Sequence, residues 1–434
     1  MRTDSRISRS SPELAEPMSY NLGVARLKLP ATIVFLVCCA GYYLKVNVGN
    51  RLSSITDAHS DFTNYYRAAR SVLAAQSPYT DVDYIYPPTL AFLLAPLGLT
   101  DYVTARRIWF WCSQAFLLMA AFLTWRGLGQ DRTAACCVAC VWALGSAAAV
   151  NLVLGQLGPL LVLLLALAYW RAAAVQGAAV AAGLSLKLLP GILSIVLLLR
   201  RDWRAVATLV AVAAAGVFVP SAVVSHWTPG PPPTVQKAFL MGTPALLNWS
   251  LPGVALRMAD PIVSPPKLPH NWQFGNTSED LHLPRAQRWL SAGVAAGVLL
   301  VGLAVLLAAC RGKLNAAQAP WAGAALISLS VAASPIAWSH YQILQYPGMA
   351  LLLCHAVKRR KWLLGVVAVV LGAFLYPIPW GIMLDYYAQF SGWTAASPTK
   401  LYVWTSVTPV AALLLFGVLL RQLSAEAQPP HRPR

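Results

Sequence analysis

Four aspartates, Asp57, Asp61, Asp81 and Asp83, share one short stretch with Tyr65, Tyr66, Tyr79, Tyr84 and Tyr86, while the chain on either side is strongly apolar. A carboxylate within hydrogen-bond reach of a hydroxyl acts as a general base. Asp57 and Asp61 are four residues apart, and SDFTNYYRAARSVLAA reads as a short helix with Asp61 and Tyr65 along one face and Arg67 to Arg70 near it. Ser60 or Asp61 suits the N-cap of that helix equally well, so a purely structural role stands beside the chemical one. Lys187, in GLSLKLLPG, falls inside an apolar run. An ionisable group there is costly, is usually functional, and calls for an anion such as a phosphate. Its alternative is to reach an interface with its amine. His340 in SPIAWSHYQ, flanked by Trp338 and Tyr341, and Asn248 and Arg257 in NWSLPGVALRM, complete a set of polar groups expected on one side of the molecule.

These residues need a scaffold, and composition says which kind. Of the 434 residues, 58% are hydrophobic and 11% charged; a soluble domain carries about 25% charged residues. The chain is therefore expected to be an integral membrane protein, all-α, a polytopic bundle. The net charge of +18 comes from short basic clusters between apolar runs, which marks topology and not a nucleic-acid partner. A bilayer core needs roughly 20 apolar residues per helix. About twelve candidate spans follow, at 29–47, 88–100, 105–125, 134–154, 157–172, 176–199, 204–224, 288–309, 319–338, 342–357, 361–380 and 400–420. The second, fifth and tenth are short enough to be re-entrant or tilted.

An even count puts both termini on one side, and Arg200–Arg204 (RRDWR) and Lys358–Lys361 (KRRK) fall on that side too. The excess of Lys and Arg there makes it cytoplasmic. The expected organisation is a cytoplasmic tail 1–28, a single transmembrane catalytic domain 29–420 with irregular outer loops 48–87, 225–287 and 381–399, and a cytoplasmic tail 421–434. The first apolar run, behind Arg2, Arg6, Arg9, Arg26 and Lys28, has no small-residue cleavage site and reads as a retained anchor. Loop 225–287 is proline-rich and reads as an irregular lid; its sequons at Asn248 and Asn276 face outward.

Competing chemistries find little support. The eight cysteines lie in or beside apolar runs and read as small hydrophobes. Cys136 and Cys140 are one turn apart but lack further ligands, so no metal is expected. Asp81–Asp83 has the D-x-D form of metal-dependent nucleotide-sugar transferases, yet it sits in an outer loop, where a solvated acidic turn is the better reading. There is no P-loop, no H-E-x-x-H and no G-x-S-x-G.

Five segments in order carry a resemblance. DFTNYYRAARSVLAAQSPY…YPP, NLVLGQLGPLL, SLKLLPGILSIVLLLRRDWRA, NWSLPGVALR and SPIAWSHY, across about 55–345, resemble motifs of glycosyltransferase family 87. Trp249 stands where that family usually has Gln, and Tyr341 where a second His is common. The resemblance implies a GT-C-like membrane enzyme that takes a polyprenyl-phosphate-sugar donor, mannose in the known relatives, and passes the sugar to a glycolipid or polysaccharide acceptor among the membrane lipids outside the cell membrane. It places Asp61 as catalytic base. Lys187, His340 and Arg257 become ligands of the donor phosphate, while Tyr65, Tyr66, Tyr86, Gln156, Asn248 and Trp338 become sugar or acceptor contacts. No cofactor is implied beyond the lipid-linked donor. A lone essential carboxylate fits inversion better than double displacement. A transporter or lipid-linked-sugar flippase, or a non-catalytic subunit of an envelope-synthesis complex, are the other classes this composition allows.

Overall fold

The computed structural model describes residues 19–52, 60–80, 84–227, 248–259, 285–310, 312–375 and 398–426. Asp57, Asp81, Asp83, Asn276, Arg2, Arg6, Arg9 and most of the outer loops lie outside the described residues, as do the side chains of Arg26, Lys28 and Arg257. Among those described there is no strand. The helices are α1 (Ser19–Tyr43), prolonged by a π-helical turn Leu44–Gly49; α2 (Asp61–Leu73); α3 (Pro88–Leu94); α4 (Tyr102–Gly127); α5 (Arg132–Leu144); α6 (Ser146–Leu154); α7 (Gly158–Trp170); and α8 (Ala173–Leu186). They continue with α9 (Ser194–Arg200), α10 (Trp203–Trp227), α11 (Leu251–Ala259), α12 (Arg285–Cys310), α13 (Ala319–Ala333), α14 (Tyr346–Lys358), α15 (Trp362–Leu375) and α16 (Pro398–Glu426).

Five helical stretches are long and apolar enough to cross a bilayer: Leu29–Leu52, Tyr102–Gly127, Trp203–Trp227, Arg285–Cys310 and Ser406–Glu426. The pair α5 and α6, bent by 50°, makes a sixth. Gly145 sits at that bend, where its carbonyl accepts the Tyr346 hydroxyl. The same hydroxyl oxygen accepts the Ala148 N–H at 3.1 Å, so backbone groups freed by the break are satisfied from α14. The other apolar helices are shorter than a full span. The chain is a membrane protein with a helical bundle, and among the described residues up to six stretches are long and apolar enough for a full crossing.

Two expected spans take another form. Segment 88–100, which the sequence left open as re-entrant, is shorter than a full span. Tyr86 lies edge-on to Tyr65 with ring centroids 5.0 Å apart, and the Thr100 carbonyl accepts the Tyr66 hydroxyl at 2.7 Å. Both ends of the segment are thus tied to adjacent residues of α2. The Tyr102 hydroxyl, just beyond, pairs with Ser60 Oγ and Thr63 Oγ1, each at 3.0 Å. Apolar length alone suggested a crossing, yet the segment's apolar face is buried on α2 at one end of the bundle.

The second correction is the run 176–199. Gln176 Oε1 accepts from Arg200 Nη1 at 2.6 Å, although a straight helix would hold positions 24 apart more than 30 Å from each other. The run is a hairpin. α8 ends at Leu186, Lys187 is extended (φ −157°, ψ 128°), and a 3₁₀ turn Leu189–Leu193 with Pro190 leads back into α9. Lys187 is therefore at the tip of a hairpin and not in the middle of a span. Loop 128–131 now joins the basic end, where Lys358 Nζ meets Asp131 Oδ2 at 2.6 Å and the Leu128 carbonyl at 2.7 Å. The Leu314 N–H to Leu199 carbonyl bond, 3.1 Å, and the Trp321–His355 ring contact belong to the same end.

Candidate active site

The opposite end gathers residues from four separated stretches. Asp61 opens α2, where a carboxylate is favoured by the helix dipole. Ser60 occupies the N-cap position but makes no side-chain capping bond, its hydroxyl being turned to Tyr102. The purely capping role weighed for this pair is not what the geometry shows. Asp61 Oδ2 instead accepts from the Gln156 side-chain amide. The orientation of that amide is set from its other end, where Gln156 Oε1 accepts the Tyr65 hydroxyl at 2.9 Å. Tyr65 is fully buried one turn along α2 from Asp61, so one helix face supplies both the carboxylate and the group that aims its partner.

Gln156 reaches α2 because of the residue before it. Gly155 closes α6 in the left-handed region (φ 66°), and its carbonyl accepts Trp109 Nε1 at 2.8 Å. A Cβ there would stand 2.7 Å from the Phe62 Cβ and 3.0 Å from the Arg106 guanidinium. Glycine is thus required twice, for its φ and for the close approach of α2.

Lys187 is held by aromatic faces. Its Nζ lies 3.7 Å from the centroid of Tyr341 and 5.5 Å from that of Tyr86. Cation–π contacts hold an ammonium without cancelling its charge. Lys187 and Asp61 are coupled through space but make no ion pair. Burial raises the Asp61 carboxyl above the usual carboxylate range, opposed by the Gln156 hydrogen bond and then by the Lys187 charge. His340 packs edge-on against Tyr341 at 4.9 Å, is 5% exposed, and its Nε2 has no hydrogen-bond partner among the described residues. Burial, and secondarily Lys187, hold its imidazole neutral. The His340 carbonyl accepts Asn151 Nδ2 at 2.8 Å, which fixes this turn on α6.

Not every expected contact is brought here. Tyr66, one residue past Tyr65, faces away and packs against Phe62 and Tyr102. Asn248 is fully buried: Nδ2 donates to the Pro335 carbonyl at 3.0 Å, and Oδ1 accepts the Ala337 N–H at 2.8 Å and the Ser250 hydroxyl at 2.9 Å. Together with the Trp249 N–H to Ala337 carbonyl bond, 2.8 Å, it clips the NWS segment to the SPIAW turn. Neither Tyr66 nor Asn248 is joined to Asp61, Gln156 or Lys187 by any of these contacts. Trp338 is half-buried at the same turn, and Arg67 and Arg70 are exposed.

Arg106, at the start of the apolar run 105–125, was not singled out by the sequence reading. It is 1% exposed, with Nη2 donating to the Leu152 and Val153 carbonyls at 2.7 Å each and its guanidinium 5.5 Å from the Phe62 ring. It neutralises the carbonyl end of α6 just before Gly155 and Gln156. The available signal was a charged residue that helical periodicity turns inward. Among the described residues, no three His, Cys, Asp or Glu side chains gather as a metal site.

With this geometry in place, comparison with known proteins becomes informative. The model of glycosyltransferase family 87 matches residues 84–264, an interval that contains Gln156 and Lys187 but neither Asp61 nor His340. No curated protein matches the chain. Among solved structures, ArnT from Cupriavidus metallidurans in the apo state is 15% identical, covering 91% of this chain and 82% of that one, with a TM-score of 0.39. So low a score carries no argument. The family match and the apolar helices together support a membrane glycosyltransferase.

Proposed function

We propose that this membrane glycosyltransferase moves a sugar from a polyprenyl-phosphate donor to an acceptor hydroxyl outside the cell membrane, with inversion and with Asp61 as the base. The observation that carries the reading is the convergence of Asp61, Gln156, Lys187 and Tyr341, from four stretches of chain, at the end of the bundle opposite its basic clusters. Mannose as the sugar rests on the family resemblance alone. The positive-inside rule makes the basic end, with RRDWR and KRRK, the cytoplasmic one, and both termini are read as lying on that side.

The chemistry follows from the geometry. The Gln156 amide occupies Asp61 Oδ2, which leaves Oδ1 to accept the acceptor's hydroxyl proton. The hydroxyl oxygen attacks the anomeric carbon from the face opposite the phosphate. As the new C–O bond forms, the old one breaks, and its electron pair leaves on the phosphate. That group needs no proton, only positive charge aimed at it. Lys187 supplies the charge; rings and not a carboxylate hold it, burial pushes its ammonium down to about 7, and the Asp61 charge, like a bound phosphate, works against that loss. His340, buried and with its Nε2 unengaged, is placed to donate a hydrogen bond to the same phosphate. Tyr86, half-buried, walls the sugar, with fully buried Tyr65 packed edge-on behind it. A lipid-linked donor keeps its chain in the bilayer and its headgroup at this end, so substrate and site meet without leaving the membrane.

The test is transfer of radiolabelled mannose from polyprenyl-phosphate-mannose to membrane acceptors by wild type and Asp61→Asn at matched folded expression. Loss in the variant alone supports the reading. Equal transfer by both removes Asp61 from the chemistry.

A further inference from the structure

At the other end of the molecule a cavity of about 800 Å³ is lined by Arg200, Arg201, Arg204 and Lys313, with Asp202 as its one carboxylate and Trp203 at its edge. Four cations around one opening would repel each other unless the backbone holds them, and here it does. α9 ends with Arg201 in the left-handed region (φ 55°), a conformation arginine adopts at a steric cost, and the Asp202 N–H closes the turn on the Leu197 carbonyl at 3.2 Å. The far wall is pinned by the Leu314 N–H to Leu199 carbonyl bond, 3.1 Å, and stiffened by reciprocal Asn315–Gln318 bonds of 3.0 and 2.9 Å. Arg200 is oriented from behind by buried Gln176 at 2.6 Å. Asp202 is occupied, with Oδ2 3.7 Å from Arg200 and Oδ1 accepting the Ala205 N–H at 3.3 Å. The remaining cations line the cavity with no carboxylate of their own among the described residues.

We infer that this cavity binds a phosphate group, that of an anionic phospholipid headgroup in the leaflet at the basic end. The shape and charge suit a phosphate, since guanidinium groups match phosphate oxygens in pairs. The depth suits a lipid. Trp203 is 65% exposed at the start of the long apolar helix α10, and an exposed tryptophan in that position marks the interface where headgroups lie. Arginines gathered at that depth are the usual partners of anionic headgroups. This site is separate from the Asp61 end and does not depend on the reaction assigned there.

Native mass spectrometry of the detergent-purified full chain tests this with three probes: phosphatidylglycerol, zwitterionic phosphatidylcholine and inorganic phosphate. The wild type is expected to retain phosphatidylglycerol and not phosphatidylcholine. Arg201→Gln combined with Lys313→Gln is expected to weaken retention at least tenfold, and Asp202→Asn to strengthen it severalfold. Binding of inorganic phosphate alone, lost in the same double variant, keeps the phosphate site and assigns it a soluble ligand. If the double variant elutes as aggregate, single Arg204→Gln replaces it, with weakening of about threefold or more expected. Equal phosphatidylglycerol retention by wild type and folded variants, or no retention of any probe, overturns the inference.

Discussion

The two ends of this bundle treat ionisable groups in opposite ways. At the Asp61 end the three ionisable groups of the site, half-buried or buried, are each held by a neutral partner: Asp61 by an amide, Lys187 by two phenol rings, His340 by an aromatic edge. At the basic end charges are exposed and answered by other charges or by carbonyls, as with Lys358 between Asp131 and Leu128, or Arg200 beside Asp202. Neutral partners fix geometry while leaving the charge available, and low dielectric amplifies what that charge does to a substrate. Exposed pairs are screened and contribute little. One end is built to act on a substrate, the other to orient the protein in its membrane and hold a headgroup.

Substitutions that breach this contrast are ranked by how much chemistry each touches. Asp61→Asn keeps the size and the Gln156 contact but removes the base, and transfer should fall by about 10³-fold, in the range for general-base catalysis. Lys187→Met keeps the ring contacts and removes the charge; kcat should drop by about 10²-fold, as for loss of one preorganised electrostatic group. An equal fall with Lys358→Met would erase the distinction between the ends. Gly155→Ala puts a Cβ against Phe62 at a positive φ and should cost ~2 kcal/mol, read as a lower midpoint of thermal unfolding for the purified protein.

A pH profile sharpens the same comparison. Burial holds the Asp61 carboxyl above its ordinary range, so kcat/KM should fall as pH drops through a value higher than the ~3.9 of a free aspartate. The Gln156 bond opposes that shift. Gln156→Leu should therefore move the acid limb to still higher pH, with a roughly tenfold loss of rate at neutrality. An unmoved limb would show that Gln156 does not hold the base. The smallest effect is expected from Lys358→Ala. Its pair with Asp131 is 33% and 49% exposed, and unfolding should change by less than about 1 kcal/mol.

Much of the site was legible in the sequence because its signals are local. A carboxylate and a tyrosine four apart on a short polar helix, a lysine inside an apolar run and a histidine at the end of one each stand out against a bilayer background. Tyr65 and Tyr66 could not be told apart by type, and only the packing of α2 decides which one faces Gln156. Asn248 looked like a ligand because it is polar in an outer segment, yet the backbone of the SPIAW turn claims its amide. Arg106, at the start of an apolar run, carried no signal of its own by type, yet it is a buried clamp on α6.

By itself the sequence determined that this is an all-α membrane protein, which ends carry the basic clusters, and which residue types are out of place in lipid. These follow from transfer free energies, which add along a chain and need no knowledge of its path. The tertiary structure decided where the path turns back. Segment 88–100 lies on α2, and the run 176–199 folds into a hairpin with Lys187 at its tip. An apolar stretch is equally content against lipid or against another helix, so hydropathy cannot distinguish a crossing from a layer or from two short helices. What separates them is the set of long-range bonds that tie Thr100 to Tyr66 and Arg200 to Gln176, and those exist only once the bundle has formed.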